Sequence, residues 1–175
     1  MEKLKAQAGP QSQVAELRPP GITTPPSIAQ LEAEATRLVF PRFTEDTALR
    51  LGLVLVELAR AGKLPVVINI RTTDRTLFHA SLPGSAPLND LWARRKSNTA
   101  LRFHEASLLV GTCNRAKGET LAKHGLSSEE HADHGGAVPI RVKGAGVVAV
   151  ATVSGLPQIE DHQLVVRGMD LILRS

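Results

Sequence analysis

Residues 134–162 read HGGAVPIRVKGAGVVAVATVSGLPQIEDH, and their pattern decides the fold. Residues 137–142 form a predicted strand, Lys143 to Gly146 a glycine-rich hairpin turn, and residues 147–153 a second strand. The second strand is apolar on both faces, which places it inside a sheet covered on both sides. Pro139 cannot donate to a ladder, so its strand lies at an edge or begins there. Ser154-Gly155-Leu156-Pro157 then turn the chain. Glu160 and Asp161 supply an acidic start that suits a helix N-terminus, and Leu164, Gly168, Leu171 and Ile172 form the stripe of the helix that follows.

Working back from this segment, residues 64–71 and 75–81 read as another hairpin across the polar turn Thr72-Thr73-Asp74. Its register stays open, because one residue more or less in the loop flips the face that His79 shares with Asn69 and Arg71. Ser27 caps a predicted helix with apolar positions Ile28, Leu31, Ala35, Leu38 and Val39, closed by Pro41. Thr44 caps a second helix that runs to about Ala61 and stops at Gly62. That helix is apolar around most of its circumference, with Asp46, Arg50, Glu57 and Arg60 as a narrow polar stripe, so more than one surface must cover it. Asn89 or Asp90 opens a helix through Trp92 and the run Arg94-Arg95-Lys96 to about Phe103. Residues 107–112 fit helix or strand equally, and residues 117–124 fit a helix ending at Gly125. Helices on both faces of a mainly antiparallel sheet make an α+β fold.

The whole chain supports one domain: 175 residues, 42% hydrophobic, 22% charged. Residues 1–26 hold five prolines and few large apolar groups, and they are expected to form a flexible Pro-rich arm ahead of a single domain at 27–175. Aromatic content is 3%, with no Tyr, which disfavours single-strand nucleic-acid binding through stacked bases. A net charge of +4 with one short basic run points away from nucleic acid generally. The lone Cys113 excludes an internal disulfide and multi-cysteine metal sites. No export signal is visible and no apolar run approaches the roughly 20 residues of a membrane span, so a cytoplasmic location is expected.

No catalytic motif is found: Gly144-Ala145-Gly146 lacks the third glycine of a dinucleotide fingerprint. The stretch from His124 to His134, with Glu129, Glu130, His131 and Asp133, holds imidazoles and carboxylates but no specific metal-ligand spacing. Gly135-Gly136 either open space for a ligand beside the backbone or make a tight turn. Backbone N–H groups at Ser154-Gly155 suit an anion, except that Glu160 and Asp161 would repel one.

Three stretches taken together resemble a known family. They are Ile70-Arg71 with Leu77 to Ser85, Asn89-Asp90-Leu91-Trp92 with Arg94-Arg95-Lys96, and residues 134–162. Over residues 27–175 the chain resembles the GlcG/HbpS-like haem-degrading domain superfamily, in its short single-domain branch of bacteria and fungi. It departs from the wider pattern at Ala149-Val150-Ala151-Thr152, where the superfamily often has Gly-Ala-Ile-Gly, and at Glu105-Ala106-Ser107, where the short branch usually has a paired serine. The resemblance implies a profilin-like α/β/α sandwich on a five-stranded antiparallel sheet and a homo-oligomer built from dimers. It also implies a small-molecule ligand, with haem or a related tetrapyrrole as the cofactor class. The candidate binding residues are His134, Gly135 and Gly136, with His79 as the alternative axial ligand, Trp92 as an apolar wall, and Arg95 and Lys96 for carboxylates. The competing reading is an oligomeric interaction or chaperone-adaptor protein whose basic helix meets an acidic partner and which has no ligand.

Overall fold

The computed structural model describes residues 24–175, so the expected arm at 1–26 lies outside the described residues apart from its last three positions. Helix α1 (Ile28–Arg37) opens on a capping box in which Ser27 accepts from the Gln30 N–H and Gln30 accepts from the Ser27 N–H. Strand β1 (Val39–Phe40) and helix α2 (Glu45–Ala61) follow, the latter capped by Thr44. The hairpin β2 (Val67–Arg71) and β3 (Thr76–Ser81) leads to α3 (Pro87–Phe103) and α4 (Ser107–Lys117). A short 3-10 turn (Leu121–His124) precedes β4 (Ala137–Val142), β5 (Gly146–Ser154) and the closing helix α5 (Gln158–Leu173).

The sheet runs β1-β4-β5-β2-β3. The β4–β5, β5–β2 and β2–β3 pairs are antiparallel, whereas β1 pairs parallel to β4 through Val39 opposite Arg141 and Phe40 opposite Val142. The sheet is therefore mixed rather than purely antiparallel. Val39, assigned from periodicity to the first helix, belongs to this edge strand because Leu38 leaves helical geometry at φ −84°, ψ 61°. The central position of β5 accounts for its apolar residues on both faces, and β4 carries Pro139 one strand in from the edge. Residues 107–117 resolve as helix, and residues 117–124 as only one 3-10 turn beyond the left-handed Gly118.

Helices α2 and α5 cover one face of the sheet; α3 covers the other, with α4 beside it and α1 packed on α4. Ile68, Ile70, Val138, Ile140, Ala149, Ala151 and Val153 face the first pair and join Leu51, Leu55, Val165 and Met169 in the main core. Two glycines set the closeness of this packing. A Cβ on Gly168 would lie 2.6 Å from Leu55 Cδ2, and one on Gly52 would lie 2.3 Å from the Phe78 ring. Most of the apolar circumference of α2 is thus used inside the chain's own fold. What remains outside is Leu49 and Leu53, at 47% and 50% exposure.

This partition gives a stability test. Leu55→Ala removes a fully buried side chain between α2 and α5 and should cost about 2–5 kcal/mol in denaturant unfolding. Leu53→Ala should cost much less; equal losses would contradict the packing.

Candidate functional site

Helix α3 carries most of the chemistry. It begins at Pro87, with the Asn89 side chain accepting from the Ala86 N–H at 2.8 Å, two or three residues before the start read from sequence. Its basic run disperses in three directions rather than forming one basic face. Arg94 pairs outward with Glu130 at 2.9 Å, and the Arg95 guanidinium lies 4.4 Å from the centre of the Trp92 ring. Lys96 turns inward.

The Lys96 Nζ donates to Asp161 Oδ2 at 2.7 Å and to the Val153 carbonyl at 3.4 Å, and both partners of the ion pair are buried. Asp161 also accepts from the Leu156 N–H at 3.0 Å and the Gly155 N–H at 3.4 Å. The N–H groups after β5 that suit an anion in sequence, except that Glu160 and Asp161 would repel one, are occupied by the chain's own Asp161 carboxylate. Burial raises the Asp161 pKa, opposed by Lys96 and by the two N–H groups.

Gly136 is forced by this pair. Its φ is +127°, and a Cβ there would lie 2.4 Å from the Val153 carbonyl and 2.9 Å from Lys96 Nζ. A Cβ on Gly135 would lie 2.3 Å from the Gln158 carbonyl, and its N–H donates to Gln158 Oε1 at 3.2 Å. The space that sequence reasoning left beside both glycines is taken by protein atoms. Lys96, buried on Asp161, does not join the exposed candidate residues.

Three of the candidate residues do come together. The His134 ring meets Trp92 edge-on, with centroids 5.0 Å apart at 70°, and Arg95 stacks on Trp92. The His134 side chain is 51% exposed, and its nearest carboxylate is Asp133 at 3.9 Å. Burial lowers the His134 pKa, reinforced by the charges of Lys96, Arg115 and Arg95 and opposed by Asp133, which leaves the imidazole neutral near pH 7. Arg95 Nε and His131 Nδ1 are buried without a hydrogen-bond partner among the described residues.

The loop bearing His134 is fastened to α3. The Ala132 N–H donates to the Arg95 carbonyl at 3.1 Å and to Thr99 Oγ1 at 3.0 Å, and Asn98 donates to the Glu130 carbonyl at 2.7 Å. Asn114 holds Asp133 at 2.8 Å. Although this loop is rich in histidine and acid, no group of three metal-ligating side chains gathers among the described residues.

His79 lies elsewhere. The hairpin register sets Asn69 opposite His79, so both face α3. Asn69 Nδ2 donates to His79 Nδ1 at 3.2 Å, and His79 Nε2–H faces Asp90 Oδ1 at 3.1 Å. This histidine lines a polar cleft of about 260 Å³ between the hairpin and α3, together with Asn69, Arg71, Asp90 and Arg94. Trp92, Arg95 and His134 are not part of its lining. Sequence reasoning missed Arg71, Asn98 and Asp161 as partners of these sites. Only the alternation Asn69, Arg71 on β2 hinted at a polar face.

Comparisons with known proteins agree on a family. The family described as Haem degrading protein HbpS-like matches residues 43–170. A UPF0303 protein of Streptomyces coelicolor is 51% identical over 148 residues, covering 84% of this chain and 94% of that protein. The crystal structure of the Ybr137w protein superposes with a TM-score of 0.80 at 30% identity over 94% of this chain and 96% of the other. The fold is shared with the PduOC:haem complex at a TM-score of 0.62 and 18% identity, over 73% of this chain and 93% of that one.

Two outcomes follow from the geometry. Lys96→Met strands the buried Asp161 carboxylate and should cost about 3–5 kcal/mol in chemical denaturation, whereas a loss near zero would show the pair to be solvated. In an NMR titration the His134 ring should have its midpoint below the ordinary 6.5, so its contribution to stability is lost as pH falls from 6.5 towards that midpoint. Trp92→Ala should move the midpoint back upward; an unshifted midpoint in the parent would contradict the assigned environment.

Proposed function

The chain belongs to the HbpS-like family, and from that premise we propose that it is a ligand-binding domain whose face at Trp92, Arg95 and His134 takes haem or a related tetrapyrrole. The observation that carries this reading is the half-exposed His134 imidazole, its pKa lowered by burial, set against an aromatic wall with a guanidinium beside it. These groups fit a haem chemically. A neutral imidazole can ligate iron, Trp92 offers an apolar surface to a planar macrocycle, and Arg95 can meet a carboxylate. A bound haem would supply redox and axial-ligand chemistry, while this chain's residues orient it and set its exposure. The PduOC:haem complex supports the reading through shared fold alone.

His134 is favoured over His79 on hydrogen bonding. Both nitrogens of His79 are engaged, by Asn69 and Asp90, whereas among the described residues the polar neighbour of the His134 ring is Asp133 at 3.9 Å. Lys96 and the glycine pair act behind the face, by fixing its backbone. The platform is open on its outer side, and Leu88 and Leu91 extend it along α3 at 59% and 41% exposure. A second copy would supply the missing wall, which makes a dimer-based homo-oligomer part of this proposal. The adaptor reading needs a basic face on α3, and the three directions taken by Arg94, Arg95 and Lys96 argue against it.

Haem titration of the full chain is the test. A saturable Soret shift is expected, weakened at least about tenfold in His134→Ala and largely kept in His79→Ala. Arg95→Ala should weaken binding less, with a changed dependence on salt. Absence of saturable binding, or equal binding by parent and His134→Ala, would overturn the assignment.

A further inference from the structure

The polar cleft between the β2–β3 hairpin and α3 is separate from the Trp92–His134 face. Its lining includes three arginines, but their situations differ. Arg75 at the exposed rim pairs with Glu45 at 3.1 Å, and Arg94 pairs with Glu130, neither glutamate belonging to the lining. Arg71 is half-buried and held by neutral oxygens only. Its Nε donates to the Thr72 carbonyl at 3.2 Å, Nη1 to Asn98 Oδ1 at 3.1 Å and Nη2 to the Thr73 carbonyl at 3.0 Å. Among the described residues it has no carboxylate partner, and one N–H on each terminal nitrogen remains unspent.

A fixed, partly desolvated cation with spare forked donors is pre-organised for an oxyanion. The cleft's own carboxylates do not supply one. Asp90 faces His79 at 3.1 Å, and Asp74 sits exposed at the hairpin tip. Asn69 and the hydroxyls of Thr73 and Thr76 add neutral donors to the lining. A volume of about 260 Å³ is below that of drug-sized sites, so the occupant is small.

We propose that this cleft binds a small oxyanion, a carboxylate or phosphate group seated on Arg71, independently of the tetrapyrrole face. Asp74 and Asp90 favour an anion that also carries a hydroxyl donor.

Titrations of the full chain with inorganic phosphate and with lactate, at constant ionic strength set by chloride, test this by calorimetry and amide chemical shifts. Saturation by either probe in the millimolar range is expected, with shifts at the β2–β3 hairpin. The probe that binds more tightly identifies the anion class. Arg71→Gln should weaken binding at least about tenfold. Asn98→Asp, which gives Arg71 an internal carboxylate, should do the same without removing the arginine, and it decides the matter if Arg71→Gln fails to fold. Arg75→Gln, already paired at the rim, should bind within about twofold of the parent. His134→Ala should leave anion binding unchanged, just as Arg71→Gln should leave haem binding unchanged, so the two readings fail separately. No saturation by either probe, shifts confined to the Arg95–His134 face, or unchanged binding in Asn98→Asp would overturn the proposal.

Discussion

The ion pair between Lys96 and Asp161 ties α3 to α5 across the end of β5, and much of the local structure is arranged to admit it. A buried ammonium and carboxylate each lose hydration that only close geometry and additional hydrogen bonds restore. Asp161 obtains those bonds from the Leu156 and Gly155 N–H groups, and Lys96 from the Val153 carbonyl. That requirement fixes the turn after β5. It also leaves no room for a side chain at residue 136, whose backbone passes between Val153, Lys96 and Asp161. Such a pair gives little net stability relative to an apolar isostere, so its effect is to specify the relative placement of two helices that cover opposite faces of the sheet.

With Lys96 committed inward, the remaining residues of the same helix turn are distributed by helical geometry. At about 100° per residue, Arg95 emerges about a quarter turn from the inward direction and Arg94 nearly opposite it. One reaches the loop through Glu130, and the other lies on Trp92. The exposed platform at His134 is therefore a consequence of the buried pair behind it. The glycines preceding β4 are needed for the core-side contacts, while the imidazole just before them faces out.

The architecture was largely legible because its signals are local. The capping residues Ser27 and Thr44, the turn at Gly144, and the double-sided apolar pattern of β5 each have one physical reading. Strand β1 was not legible, since two residues carry no period and Val39–Phe40 pair parallel with a strand about a hundred residues away. The site was legible in part. Trp92, Arg95 and His134 lie in contact, but Lys96 reads identically to its neighbours in sequence and differs only in which side of the helix faces the core. The partner that decides its role, Asp161, looked like an ordinary acidic first-turn residue. Arg71 was passed over because a strand arginine with neutral partners has no local signature.

The two histidines show how tertiary hydrogen bonding separates residues of the same type. Asn69 donates to His79 Nδ1, and the Asp90 carboxylate lies against Nε2, so that ring is a structural link between hairpin and helix. Among the described residues His134 has no comparable hydrogen-bond partner. The two regions are nonetheless joined by a short chain of hydrogen bonds. Arg71 donates to Asn98, Asn98 donates to the Glu130 carbonyl, and residue 130 begins the stretch that ends at His134. Contiguity of this kind transmits nothing by itself. A ligand on Arg71 would alter the His134 face only if the Glu130 segment had two arrangements that the ligand distinguished, and its anchoring through Ala132, Asn114 and Arg94 favours one. On that ground ligands at the two proposed sites are expected to bind independently.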